Sequence, residues 1–201
     1  MRKILLSSTV VILFLVSQLC VALSSPVNQF QNIANQMISS LDKNRSSLSN
    51  ISVIRRIVNK ILLPNVDLNR MSASVVGRYW VSATSAQKEQ FKREFAYLVT
   101  TTYAAALSSY NNDKVQFYPL RENITNQQTM QIRSVIIRQN GQRIPISYDV
   151  VRAGNQWKVY DFSIENVSMV QSYRSQFSNV LASGGMSTLL TRLKQHNMRT
   201  A

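Results

Sequence analysis

Apolar positions recur first at helical and later at strand spacing along this chain. Phe30, Ile33, Met37, Ile38 and Leu41 line one face of a polar segment opened by Pro26, and Ile51, Ile54, Ile57, Val58, Ile61 and Leu62 form a second stripe that Pro64 ends. Asp67 begins a third helix, which carries Leu68, Met71, Val75 and Val76 towards Gly77 and the bulky pair Tyr79 and Trp80. Thr84 and Gln87 have the spacing of a capping box. The long helix after it keeps Phe91, Phe95, Leu98, Val99, Tyr103, Ala106, Leu107 and Tyr110 on one stripe. Ala104, Ala105 and Ala106 let something approach that helix closely, either a packed neighbour or a ligand in a groove.

After Asn111-Asn112-Asp113 the period changes to two. Val115, Phe117 and Pro119 suggest an edge strand, because proline cannot donate to a ladder on both sides. A long strand follows from Met130 to Arg138, then the hairpin turn Asn140-Gly141. Ile144, Ile146, Tyr148 and Val150 next alternate with Arg143, Ser147 and Asp149, and Gly154-Asn155 makes another turn. From Trp157 the strand places Lys158, Tyr160, Phe162 and Ile164 on one face and Trp157, Val159, Asp161 and Ser163 on the other, so both faces carry apolar bulk. Asn166 tolerates a left-handed turn, and Ser168 caps a helix through Met169, Val170, Tyr173, Phe177 and Leu181. Gly184-Gly185 ends that helix, and a last one holds Leu189, Leu190 and Leu193. Strands joined by tight turns form an antiparallel meander, so the expected fold is α+β, a sheet covered on one side by helices.

Composition leaves one domain with a real core: 201 residues, 45% hydrophobic and 16% charged. The charge is less ordinary, with 23 Lys and Arg against 9 Asp and Glu, a formal +14. That excess favours an anionic partner: nucleic acid, anionic lipid headgroups or an acidic protein face. Arg2 and Lys3 ahead of the apolar run from Val10 to Val16, with small residues at Ala22 and Ser24, read as a secretory leader over residues 1–24 and a domain over 25–201. Leu19 before Cys20 argues against lipidation, and the run is shorter than the ~20 residues that span a bilayer. Loss of the leader removes the single cysteine, leaving an exported domain that rests on its hydrophobic core or on a bound apolar ligand.

Catalytic constellations are not expected. The single histidine, His196, lies in a polar tail, which argues against a histidine triad or a zinc site. Ser40-Leu41-Asp42-Lys43 and Ser85-Ala86-Gln87-Lys88 match a serine-x-x-lysine pattern without its companion motifs, and the five glycines form no phosphate loop. Asp161 and Glu165 on an extended strand stand ~13 Å apart, too far for a glycosidase pair. Asp161 is better read as a fold-fixing partner of the Arg174 region. Arg133, Arg138, Arg143 and Arg152 near Tyr148 and Trp157 raise nucleic-acid binding, but the leader and the spread of the charges count against it.

Several of these stretches also carry a family pattern. Trp157-Lys158-Val159-Tyr160-Asp161, Ser168, Tyr173 to Phe177, Gly77-Arg78-Tyr79-Trp80, Gln87, Phe91, Phe95, Tyr103 and Ile144 to Tyr148 together resemble the MlaC, or toluene-tolerance, family of periplasmic phospholipid-binding proteins of the Mla pathway. The likeness covers roughly residues 28 to 195 and departs at Asn166, where that family usually has glycine. It implies an NTF2-like curved antiparallel sheet under helices, enclosing an apolar lipid cavity, and no catalysed reaction. It further implies a carrier shuttling phospholipid between outer and inner membranes in support of outer-membrane lipid asymmetry. Its partners would be an inner-membrane ABC transporter with a lipid-binding ring and an outer-membrane lipoprotein–porin complex.

In such a protein the long helix should line the cavity with Phe95, Val99, Tyr103 and Leu107, the following helix with Met169, Tyr173 and Phe177, and the sheet with Ile146, Tyr148 and Val150. Val76, Tyr79 and Trp80 complete the expected lipid site. No cofactor is expected, only the phospholipid as cargo. The rival expectation is a non-enzymatic scaffold with the same fold, a closed core and a basic docking face.

Overall fold

A computed structural model describes residues 25–120 and 126–200. The leader expected over residues 1–24 lies outside the described residues. Among the described residues six α-helices and five strands follow in order: α1 (Pro26–Lys43), α2 (Ile51–Ile61), α3 (Leu68–Val76), α4 (Arg78–Ser82), α5 (Ser85–Ser108), β1 (Lys114–Phe117), β2 (Thr129–Ile137), β3 (Arg143–Ala153), β4 (Gln156–Ile164), β5 (Val167–Ser168) and α6 (Met169–Arg199). Helix starts are chemically marked. Proline opens α1, the Asn50 side chain accepts from Ser52 N–H, Asp67 accepts from Arg70 N–H, and Thr84 with Gln87 closes a reciprocal capping box. Tyr79 and Trp80 occupy their own short helix, α4, and do not finish α3.

The sheet is an antiparallel meander in the order β1-β2-β3-β4-β5, as an α+β fold of this kind requires. Its register puts Val115 and Phe117 of β1, Ile132 and Ile136 of β2, and Ile144, Ile146, Tyr148 and Val150 of β3 on the helix-covered face. On β4 the expected alternation fails. Asp149 pairs with Asp161 while Val150 pairs with Val159, so Tyr160 is an extra, bulged residue. The bulge reverses the parity, and Trp157 and Val159 before it share one face with Phe162 and Ile164 after it. A strand that reads as apolar on both sides therefore supplies one continuous inner face.

Glu165 and Asn166 turn at φ 50 and 68 into β5, whose Ser168 caps α6 by accepting from Gln171 N–H. The two closing helices expected from Gly184-Gly185 are present as the two arms of α6, separated by a non-helical residue at Gly185 (φ 60, ψ −162). Leu181, Met186, Leu189, Leu190 and Leu193 on its two arms join Phe91, Phe95, Leu98, Met71 and Val75 in the larger core cluster. A second, separate cluster lies entirely between helices, with Met37 and Leu41 of α1, Ile54, Ile57 and Val58 of α2, and Ala104 of α5. Buried Ala104 thus serves close packing of α5 on its neighbours, whereas Ala106 is exposed.

Asp161 fixes the corner, though by other contacts than expected. Its carboxylate accepts from Ser168 Oγ at 2.6 Å, Val170 N–H at 3.0 Å and its neighbour Phe162 N–H at 2.8 Å, tying β4 to the first turn of α6. Arg174 lies elsewhere, against Gly77, where an added Cβ would stand 3.4 Å from its Nη2.

Candidate functional site

The two hydrophobic clusters are held apart by a cavity of about 410 Å³. Its floor is the inner face of the sheet, through Val115, Ile136, Ile144, Ile146, Phe162 and Ile164. Its roof is α1, through Phe30, Ile33, Met37, Ile38 and Leu41. Val58, Leu62, Leu63, Val66 and Leu68 close one side, and Val99, Tyr103 and Leu107 of α5 close another. Aromatic contacts stiffen the floor: Tyr148 stacks with Phe30 at 6.3 Å and with Phe117 at 5.8 Å, and Tyr103 meets Phe162 edge-on at 5.5 Å. The volume falls in the ordinary range for small-molecule sites, ~300–1,000 Å³.

Of the side chains expected from the sequence, Phe95, Val99, Tyr103, Leu107, Ile146 and Tyr148 lie on this wall. Val76, Val150, Met169, Tyr173 and Phe177 do not; they are buried in the larger core cluster, with Tyr79 and Trp80 packed at its margin. The physical reason is an aromatic knot. The Phe95 ring meets Phe91 at 5.3 Å, Tyr173 at 5.2 Å and Phe177 at 6.2 Å, which fills the space between α5 and α6. The Tyr173 hydroxyl donates to Thr102 Oγ1 at 3.0 Å and closes that side further.

The α1 wall was visible only as an amphipathic stripe. Nothing in such a stripe tells a filled core from an open space beside it. The half-burial of Ile33 and Ile38, against the full burial of Phe30, Met37 and Leu41, is the structural trace of the difference.

The charged groups of the wall, Asp113 and Arg138, lie together at one end, beside exposed Ala106 and half-buried Tyr110. Tyr110 donates its hydroxyl to Asp42 Oδ2 at 3.3 Å and sits under Arg45, which pairs with Asp42 at 2.8 Å. Deeper in, burial pushes the Tyr148 and Tyr103 hydroxyls above their usual value near 10, so both stay neutral at physiological pH. Tyr148 shares a 3.2 Å hydrogen bond with Ser134 Oγ. The interior therefore presents apolar and uncharged surface, with formal charge confined to the mouth. Among the described residues no group of three or more His, Cys, Asp or Glu could hold a metal ion.

A helix-covered sheet around an open, uncharged apolar cavity with a polar mouth defines a binding protein for an amphiphile with an apolar tail. The chain belongs to the MlaC family, whose model, described as "MlaC protein", matches residues 31–195. It is 33% identical over 186 residues to the intermembrane phospholipid transport system binding protein MlaC of Haemophilus influenzae, covering 90% of this chain and 86% of that one. It is 25% identical over 187 residues to the toluene tolerance protein ttg2D of Pseudomonas putida, covering 92% and 86%. Among solved structures it is similar to the phospholipid-binding protein of Ralstonia solanacearum in complex with a phospholipid. There the TM-score is 0.80 at 25% identity, over 88% of this chain and 99% of that one.

Proposed function

We propose that this chain is a periplasmic phospholipid carrier, exported by a leader over residues 1–24. It takes the acyl chains into the cavity beneath α1 and leaves the headgroup at the mouth. The cavity that divides the core carries this reading. The cavity opens to solvent and is apolar along almost its whole wall, so while empty it leaves apolar side chains in contact with water, at ~25 cal/mol for each Å² so exposed. Acyl chains that fill it remove that surface from water. A closed-core scaffold has no use for such a void. A carrier does.

The cargo needs the carrier equally. Two sixteen-carbon chains hold about 30 methylenes, and at ~0.8 kcal/mol each their exposure to water costs ~20 kcal/mol or more. No reaction is part of this function; the lipid enters and leaves unchanged. Release requires a second apolar site on a partner. The proposed partners are an inner-membrane ABC transporter with a lipid-binding ring and an outer-membrane lipoprotein–porin complex, in support of outer-membrane lipid asymmetry; membership of the MlaC family supports this reading. The lipid-contacting residues are then Val99, Tyr103, Leu107, Ile146 and Tyr148 together with the α1 face.

Mass spectrometry of organic extracts of the purified protein tests this. Near-stoichiometric phospholipid is expected, and a fully stable protein that yields none returns the fold to the scaffold reading.

A further inference from the structure

Register places one cation among the apolar side chains. Every second residue of β2 faces the helices, and the series Ile132, Ser134, Ile136 continues one step past the strand to Arg138 at the mouth. Arg138 is the sole cation, and Asp113 the sole anion, among the described residues of the cavity wall. The hairpin holds its backbone firmly: the Arg138 N–H donates to the Gln142 carbonyl at 2.9 Å, and its carbonyl accepts from Gly141 N–H at 3.0 Å.

Its head is held poorly. Nη1 reaches Ser109 Oγ at 3.4 Å and stands 4.0 Å from Asp113 Oδ2, both at the outer edge of contact and both through the same nitrogen. Nε and Nη2 have no partner among the described residues. The two side chains retain 27% and 11% of their exposure, and Nε and Nη2 are neither sealed in the interior nor taken by another group, so the fork stays open to a ligand. An open guanidinium fork favours a bidentate oxyanion, and a carboxylate 4.0 Å away does not provide one.

Resting on the carrier reading above, we infer that Arg138 anchors the lipid phosphate and makes the cavity selective for phosphate-bearing amphiphiles over neutral ones with the same tails. Acyl chains run inward along Ile136 and Ile144, and the fork of Arg138 takes two oxygens of the phosphodiester at the mouth. Asp113 is its weak resident partner, displaced on loading.

The test offers delipidated protein mixed vesicles of phosphatidylglycerol and diacylglycerol with identical chains, and measures each lipid recovered per protein. Wild type should prefer the phospholipid by about 10-fold or more, as a charge-assisted pair implies. Arg138→Met should bring the ratio near one, and Asp113→Asn should raise it several-fold. A ratio that Arg138→Met leaves within about twofold of wild type overturns the assignment. Should Arg138→Met not fold, Asp113→Asn decides alone, and an unchanged ratio there overturns it as well. Recovery of neither lipid with any of the three proteins sinks the carrier reading itself.

Discussion

The side-chain amide of Gln29 pairs with both backbone groups of Trp157: Nε2 donates to the Trp157 carbonyl at 2.8 Å, and Oε1 accepts from the Trp157 N–H at 2.9 Å. A glutamine on α1 thereby fills a place that a sixth strand would take. β5 reaches only Ser163 and Ile164, so the rest of that edge of β4 needs other partners. Asp67 N–H, which donates to the Val159 carbonyl at 2.8 Å, supplies another. Edge groups left bare are a liability, and here they double as the anchors of the cavity roof.

Gln29→Ala should therefore cost more than a surface substitution. It leaves the N–H and C=O of Trp157, a fully buried residue, without partners at ~1–3 kcal/mol each. At ~2–4 °C per kcal/mol for a chain of this size, the melting temperature should fall by at least ~4 °C. Thermal melts of the delipidated protein check it; a fall under about 1 °C means that the pairing is not a structural anchor.

Asp149 and Asp161 face each other across β3 and β4. Burial raises the Asp161 carboxyl above its usual value near 3.8; three hydrogen bonds oppose the rise, and the Asp149 charge adds to it. The folded chain then holds this proton more tightly than the unfolded chain does. The group's contribution is fully present below the unfolded pKa and is lost as pH rises through the raised folded value. Asp149→Asn keeps an acceptor for Gln131 Nε2, now 3.2 Å from Asp149 Oδ1, and removes the repulsion. It should raise the melting temperature by ~1–4 °C at pH 7 and by much less at pH 4. An equal gain at both values counts against charge as the cause.

How much of this was legible beforehand varied with the kind of signal. Caps and turns are local, and Asp67, Thr84 with Gln87, Ser168 and Asn140-Gly141 all act where their chemistry places them. The bulge at Tyr160 has no such mark; it arises from the pairing of β4 with β3, and it reassigned a whole strand face. Nor can a stripe reveal its opposite wall. Val99 and Tyr103 face the cavity while Phe91, four residues before Phe95 on the same stripe, is locked in aromatic packing. Partition of the core into a filled and an open part is a property of tertiary packing.

Gly185 breaks α6 at φ 60 and ψ −162, a region open to glycine alone. No atom lies within 4 Å of a Cβ built there, so a substitution meets backbone strain and no clash. Gly185→Ala should cost ~1–3 kcal/mol, or roughly 2–12 °C in melting temperature, without changing the lipid recovered. A melting temperature equal to wild type would show that the two arms of α6 can join without this bend.

Val99 gives the sharpest separation between a cavity and an ordinary core. It lies mid-way along α5, half-buried on the cavity wall, one turn from Phe95, whose ring is enclosed. In a close-packed interior, Val99→Trp would force its added volume against neighbours at ~1–3 kcal/mol or more. Beside about 410 Å³ of open apolar space the indole has room to enter. It also removes apolar surface from water, so the empty protein should hold its melting temperature or gain. The same volume is then closed to acyl chains. Phospholipid recovered per protein should fall several-fold while the delipidated variant melts within a few degrees of wild type. The two quantities must be read together. Lipid lost with the fold intact identifies Val99 as cavity wall. A drop of ~5 °C or more in the delipidated variant, with lipid recovery unchanged, returns Val99 to packed core and removes α5 from the lipid site.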